Sequence, residues 1–371
     1  MQAGQEITVE PTELVAGGAA LARIDGFPIF ATNVYPGDVA VVQLTEVKKG
    51  FARGDLVRLL AASPLRRALP CPLADECGGC DWTALRLDAQ LEAKRRILTE
   101  SLRRIGKIHE HPPIAMHPSP LNYRLRSRLH REGDAIGFYA MRSNRVVPLA
   151  RECEVVGTET ARVFGVPVED SRPRLSGLGG TLDTWEIDGR LIDHGSMSID
   201  GYYVTTDAFF QVNRHLLQTM LDLVKAHAAR CSRKKTAVDL YAGVGFFTVP
   251  LASIFQRVIA VEGSAVSIEC AKRNVPPNAR LVHAPVEHYK LGETDFVFLD
   301  PPRAGTRRNV IDAIAAKTRA MICFLACDPV TFARDASRLI ASGWRLATLD
   351  LLDLFPNTHH VETLATFERV E

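Results

Sequence analysis

From Thr236 to the end of the chain, apolar residues fall into two alternating patterns. Thr236–Tyr241, Arg257–Glu262, Leu281–His283, Asp295–Asp300, Met321–Cys327, Arg345–Leu351 and His360–Phe367 have the short apolar character of strands. Between them, Phe246–Phe255, Ser264–Asn274, Thr306–Ala315 and Pro329–Ser342 carry apolar residues at helical spacing. Such alternation predicts an α/β, Rossmann-like domain over residues 206–371, with a mostly parallel sheet covered by helices on both faces.

The first 62 residues follow a different rhythm. Glu6–Glu10, Leu21–Ile24, Phe27–Ala31 and Ala40–Thr45 predict short strands, separated by turns at Gly17-Gly18, Asp25-Gly26 and Pro36-Gly-Asp38. Several short strands in so small a space predict an OB-type β-barrel, an architecture that commonly binds nucleic acid. Residues 63–205 are mixed and are expected to form a central domain. Gln90–Ile105 has helical spacing, whereas Leu121–His130 alternates, which puts Arg124, Arg126 and Arg128 on one face of a strand.

Composition adds little to the fold but narrows the setting. With 46% hydrophobic and 24% charged residues, the chain is ordinary for a soluble protein. No apolar run reaches membrane-spanning length and Met1–Glu6 lacks a signal-peptide pattern, so a cytoplasmic protein without membrane contact, acting as a monomer, is expected. The net charge of +2 is small but uneven. Residues 121–151 hold seven arginines against Glu132 and Asp134, which suits a polyanion such as RNA. Lys48, Lys49 and Arg53 surround Phe51, a group that can engage phosphates and a stacked base or can simply be a solvated loop.

Candidate chemistry collects at the predicted strand ends. Gly243 and Gly245, after Asp239 and Tyr241, permit a tight turn that brings backbone close to a ligand. Glu262 ends the next strand, where a carboxylate can accept both hydroxyls of a ribose. The pair fits S-adenosylmethionine (SAM). Asp300-Pro-Pro-Arg303 holds an acid at a rigid, donor-poor turn. Enzymes that methylate exocyclic amines often place an aromatic residue where Arg303 stands, so this turn favours a target needing charge stabilisation and a separate nucleophile. Cys327, at the end of the run Met321–Cys327, can be that nucleophile or an inert core thiol.

Taken together, these residues make the chain resemble the SAM-dependent RNA 5-methyluridine methyltransferases over almost its full length. Residues 1–62 look like the family's TRAM barrel, and Asp207–Asn213 looks like the element that opens its catalytic domain. Asp239–Gly245, Glu262, Asp300–Gly305, Cys327–Asp335 and His360–Thr363 match its further motifs in order. The resemblance implies SAM contacts from Gln211, Asp239, Tyr241, Gly243, Gly245, Glu262 and Asp300. It also implies nucleophilic attack by Cys327 on uracil C6, with Glu362 as the base that removes the C5 proton. RNA contacts would come from Lys48, Lys49, Phe51, Arg53, Arg124, Arg126, Arg128 and Arg303. Phe209, Phe210 and Phe246 could stack on a base or be core. Product identity leaves room for a cytosine C5 or a transfer-RNA uridine, and the scaffold alone could serve a non-catalytic RNA-binding factor.

Four cysteines upstream, Cys71, Cys77, Cys80 and Cys153, could hold tetrahedral zinc or an iron–sulfur cluster. The five-residue gap between Cys71 and Cys77 is unusual for a zinc knuckle, and the resemblance implies a [4Fe–4S] cluster and a ribosomal RNA substrate. Asp328 stands where relatives often carry asparagine, and a negative charge there is expected to raise the pKa of Cys327. Arg303 and the helix beginning near Pro329 are expected to oppose it.

Overall fold

A computed structural model describes residues 1–165 and 180–370. The expected central segment, 63–205, includes the residues 166–179 that lie outside this description. The chain divides into two compact units. One comprises Met1–Thr99, Arg128–Leu182 and Phe355–His360; the other comprises Glu100–Ser127, Asp183–Leu354 and Val361–Glu371. Residues of the central segment therefore contribute to both.

In the first unit, residues 6–61 form a six-stranded sheet. Its order is Glu6–Val9, Val39–Val47, Ala52–Ala61, Phe27–Thr32, Ala20–Ile24, Glu13–Leu14. Alternation drives this part: in Phe27–Thr32, Ile29 and Ala31 are fully buried while their neighbours are partly exposed. The turn at Pro36-Gly-Asp38 is fixed by charge. Buried Asp38 accepts from the N–H groups of Tyr35 and Ser63 and from Nε and Nη2 of Arg66, at 2.7–2.8 Å. Removing one partner of such a buried pair typically costs about 3–5 kcal/mol, because the other charge stays buried.

The second unit is built on an eight-stranded sheet. In spatial order the strands are Ala279–His283, Arg257–Glu262, Thr236–Leu240, Thr294–Leu299, Thr318–Ala326, Glu362–Arg369, Trp344–Leu352 and Ile114–His117. All six residues of Thr294–Leu299 and all five of Thr236–Leu240 are buried, as expected of central parallel strands covered on both faces. Glu362–Arg369 runs antiparallel to both its neighbours, so its first residue arrives at the carboxyl end of Thr318–Ala326. The strand order reverses between Thr236–Leu240 and Thr294–Leu299, which creates the crevice where open α/β sheets bind ligands. Among the elements that the sequence reading did not place are the helix Leu217–Ala229, the edge strand Ile114–His117, the long strand Ala52–Ala61 and the hairpin of Ser196–Ile199 with Tyr202–Thr205. The alternating segment expected from Leu121 enters a strand only at Arg126.

Candidate active site

The backbone ladder of the second unit sets the distance between thiol and acid. Ala326 pairs with Thr363 in antiparallel register as the last pair of that ladder, so Cys327 and Glu362, the next residues on each side, leave it at the same end. Leu299 pairs with Phe324 in the adjoining parallel ladder, so Asp300 leaves the sheet at the same edge. Glu362 is buried and Cys327 half-buried.

Electrostatics within this trio favour the neutral forms. Burial, then the charges of Glu362 and Asp300, push the Cys327 thiol up to about 12, and only Arg303 and a backbone hydrogen bond pull it back. Burial and the Asp300 charge raise Glu362 well above the carboxylate range, again opposed by Arg303. Desolvation lifts Asp300 to about 7, against a hydrogen bond donated by Gln211 at 3.2 Å. Thus Arg303 acts in the expected direction but does not prevail. Asp328 plays another part: its Oδ1 accepts the Thr331 N–H at 2.7 Å and caps the helix Pro329–Ala341. The charges that raise the thiol are those of the two facing acids instead.

The turn carrying Arg303 is held against that helix. Buried Asp335 accepts the Thr306 N–H at 3.0 Å and the Arg334 guanidinium at 2.8 and 3.0 Å. Thr331 Oγ1 donates to the Arg303 carbonyl at 3.4 Å. Asp335 and Arg334 were part of the matched motif, but nothing in their spacing showed that they clamp the turn.

Around the switch point, Gly243 and Gly245 have φ of +56° and +88°, a region in which side chains are strained. A Cβ on Gly243 would meet no protein atom within 4 Å, so the turn faces open space, whereas at Gly245 it would lie 2.7 Å from Val275. Glu262 accepts the N–H of Gly243 at 2.9 Å and of Ser264 at 2.6 Å, which fixes its carboxylate beneath the turn. Buried Asp239 accepts the Thr248 hydroxyl through one oxygen, while the other has no partner among the described residues. Burial raises its carboxyl to about 7, and the charges of Asp300 and Glu262 add to that effect. Tyr241, at φ +63°, donates its hydroxyl to Glu287 at 3.3 Å. An orphaned acid, an open glycine turn and an anchored carboxylate fit a cationic nucleoside such as SAM.

The aromatic candidates separate cleanly. Phe210 and Phe246 are buried and pack on Tyr202, so they are core, whereas Phe209 is 61% exposed. The basic candidates are more occupied than the sequence suggested. Lys48 and Arg53 both pair with Glu46, and the Arg53 guanidinium lies 5.4 Å from the centre of the Phe51 ring. Lys49 is exposed in the same turn. Arg126 pairs with Asp183 at 3.2 Å and stacks over Trp185. Arg124 lies over Tyr123, and Arg128 is exposed.

The cysteines expected to bind metal all lie in the first unit and are half-buried. Burial, and to a lesser extent the nearby Cys153, raises the pKa of the Cys71 thiol, and the Gly79 N–H donates to Cys77 Sγ at 3.4 Å. Among the described residues, however, no three His, Cys, Asp or Glu side chains are gathered as metal ligands. The expected four-thiol cage is not formed in this structure.

Comparison with known proteins bears on both units. Residues 194–283 and 278–370 match the model of the tRNA (Uracil-5-)-methyltransferase family, and residues 2–57 match the TRAM domain. An RNA methyltransferase of Gloeobacter violaceus whose own role is uncharacterized is 30% identical, covering 99% of this chain and 97% of that protein. The chain belongs to the SAM-dependent RNA (uracil-5-)-methyltransferases. Another relative in this family, the 23S rRNA (uracil(1939)-C(5))-methyltransferase of Vibrio parahaemolyticus, is 28% identical over 95% of this chain and 93% of its own length. The fold of the methyltransferase is shared with the tRNA (uracil-54, C5)-methyltransferase of Pyrococcus abyssi, solved with S-adenosyl-L-homocysteine. That match has a TM-score of 0.71 at 22% identity, covering 97% of this chain and all of the other. The protein is therefore an enzyme that uses SAM and acts on RNA. No described helix is long and apolar enough to cross a membrane.

Proposed function

We propose that this enzyme methylates C5 of a uridine in 23S ribosomal RNA through a transient Cys327–C6 bond. The register that brings Cys327 and Glu362 to the same end of their ladder, beside Asp300, carries the reading. Uracil C5 is a weak nucleophile. Addition of the Cys327 thiolate to C6 turns the C4–C5 unit into an enolate, and C5 then takes the methyl group. Glu362, as carboxylate, removes the C5 proton; the electron pair re-forms the C5–C6 double bond and expels the thiolate. SAM would supply the electrophilic methyl on a sulfonium, whose S–CH3 bond breaks with its electron pair staying on sulfur, so that the neutral thioether S-adenosylhomocysteine leaves. Gln211, Asp239, Tyr241, Gly243, Gly245, Glu262 and Asp300 are its proposed contacts.

In the free protein burial favours the neutral form of both groups; the charges of Glu362 and Asp300 add to it at the thiol, and that of Asp300 adds to it at Glu362. Both protons must therefore pass to solvent before each group acts: the thiol's with Arg303 stabilising the thiolate, and that of Glu362 so that it can accept the C5 proton. Exposed Phe209 is a platform for the base, which must leave its stack to be attacked at C6. Lys48, Lys49, Phe51, Arg53, Arg124, Arg126, Arg128 and Arg303 are proposed RNA contacts. Several must exchange an internal acid for phosphate to serve that role.

The likeness to the Vibrio parahaemolyticus enzyme supports ribosomal over transfer RNA. Within the same proposal, residues 1–62 serve as an OB-type RNA-binding module, 63–205 as a central domain and 206–371 as the methyltransferase domain. Cys71, Cys77, Cys80 and Cys153 would take up a [4Fe–4S] cluster; their shared unit and the coupling of Cys71 to Cys153 support it, and no catalytic step passes through it. Incubation with SAM and either 23S rRNA fragments or full-length tRNA transcripts tests the substrate. 5-Methyluridine should form in the ribosomal fragment; formation in tRNA alone would overturn this assignment.

A further inference from the structure

The first unit contains a cavity of about 620 Å³ that the methyl-transfer chemistry does not use. Its lining includes Gly17, Gly18, Asp55, Asp81, His130 and Tyr139, with Arg142 at its edge. The volume is within the usual range for a small-molecule site.

Two features give the cavity a chemical preference. The first is aromatic. His130 and Tyr139 come from adjacent antiparallel strands, Arg126–Glu132 and Ala135–Tyr139, and stack with ring centres 3.6 Å apart and planes within 12°. Tyr139 keeps 39% of its surface exposed, so a further planar ring can add to the stack.

The second is a carboxylate held in one orientation. Asp81 Oδ1 accepts the His359 N–H at 3.0 Å, and Oδ2 meets Nδ1 of the same residue. A Cβ on Gly18 would lie 2.5 Å from Asp81 Oδ2, so only glycine lets the acid sit there. The Gly18 carbonyl is itself fixed by Trp82 Nε1 at 3.0 Å. Each Asp81 oxygen has spent one of its two acceptor directions on His359 and keeps the other. Asp55 is unlike it: its oxygens take the Arg142 guanidinium at 3.0 and 2.7 Å, and Oδ1 also takes the Thr32 hydroxyl at 2.6 Å.

With two carboxylates in the lining and the one arginine already taken up by Asp55, the cavity makes poor company for a phosphate but suits a base edge rich in N–H donors. We infer that this cavity receives an unpaired guanine of the RNA, stacked on Tyr139 and read by Asp81. Guanine alone presents two adjacent donors, N1–H and N2–H, to a bidentate acceptor. Uracil flanks its N3–H with carbonyls, while adenine and cytosine set a ring acceptor beside their amino group. The site would thus select a guanine elsewhere in the RNA while the target uridine is methylated. This inference rests on the RNA substrate proposed above.

Binding of the full-length enzyme to single-stranded oligouridine octamers with one central G, inosine, A or C, read by fluorescence anisotropy, tests it. The G octamer should bind about tenfold more tightly than the A or C octamers, with inosine between, since one bidentate contact commonly carries that discrimination. In Asp81→Asn the preference should fall below about twofold, and Tyr139→Ala should weaken all four octamers while keeping their order. Equal binding of the four by the wild-type enzyme overturns the inference whatever the variants do. So does a guanine preference that survives in folded Asp81→Asn. Uridine methylation, assayed on the same preparations, separates the two readings: methylation without guanine preference removes only the guanine site, and guanine preference without uridine methylation removes only the proposed reaction.

Discussion

Two constellations of reactive side chains, the Cys327–Glu362–Asp300 group and the Cys71–Cys153 region, look equally strong as sequence patterns but differ as structures. The first is assembled by backbone ladders: Cys327 follows Ala326 and Glu362 precedes Thr363, the last pair of the ladder between their strands, so main-chain hydrogen bonds bring them to the same end. The second depends on loops around Cys71–Cys80 and on distant Cys153, and no metal-ligating group forms there among the described residues. The difference teaches that a site carried on strand ends is specified by the fold. A ligand set carried on loops has no such ladder to bring its members together.

The largest expected effect probes the ladder-built site. Glu362→Gln keeps the shape but removes the base, so turnover should fall by about 10³-fold, within the usual range for a general base. RNA bearing a methylated, still covalently attached uridine should accumulate, as seen by denaturing gel and mass spectrometry. Loss of turnover with no attached RNA would move Glu362 to the first step, and full turnover would remove it from the reaction.

A smaller effect concerns pH. Asp239 and Asp300 are both raised to about 7, above the usual unfolded value near 4. Their contribution to stability is therefore complete below about pH 4 and is lost as pH rises through about 7. Cationic SAM prefers both acids ionised, so its affinity should rise about tenfold between pH 6 and 8, with proton release on binding. Calorimetry in buffers of different ionisation heat checks this. A flat profile without proton release would show that these carboxyls do not meet the cofactor.

Least disruptive to catalysis should be the cysteine variants. Cys71→Ser with Cys153→Ser, purified without oxygen, should lose bound iron and lower the thermal midpoint by a few degrees while leaving SAM affinity unchanged. Equal iron content in wild type and variant would sharpen the contrast by ruling the four thiols out as a cluster site.

Much of the second unit was legible beforehand for a physical reason. Buried parallel strands such as Thr294–Leu299 must be apolar throughout, and chemistry must follow at their carboxyl ends, which located Asp239, Glu262, Asp300 and Cys327. What stayed hidden were interactions without a period. The Asp335–Arg334 clamp on Thr306, the Thr248 bond to Asp239 and the capping task of Asp328 each join residues brought together by helix and turn geometry. Charge counting, likewise, could not show that Arg53 and Arg126 pair with Glu46 and Asp183.

The Cys327–C6 bond is the central claim, and 5-fluorouridine-substituted ribosomal RNA fragments test it most directly. Fluorine at C5 cannot leave as a cation, so the reaction should stop after methyl transfer with RNA still bound through sulfur. With SAM present, the wild-type enzyme should give a denaturation-resistant complex whose RNA-linked peptide contains Cys327, and Cys327→Ala should give none while still binding SAM. An equal yield of complex from Cys327→Ala, or linkage to another residue, would contradict the account.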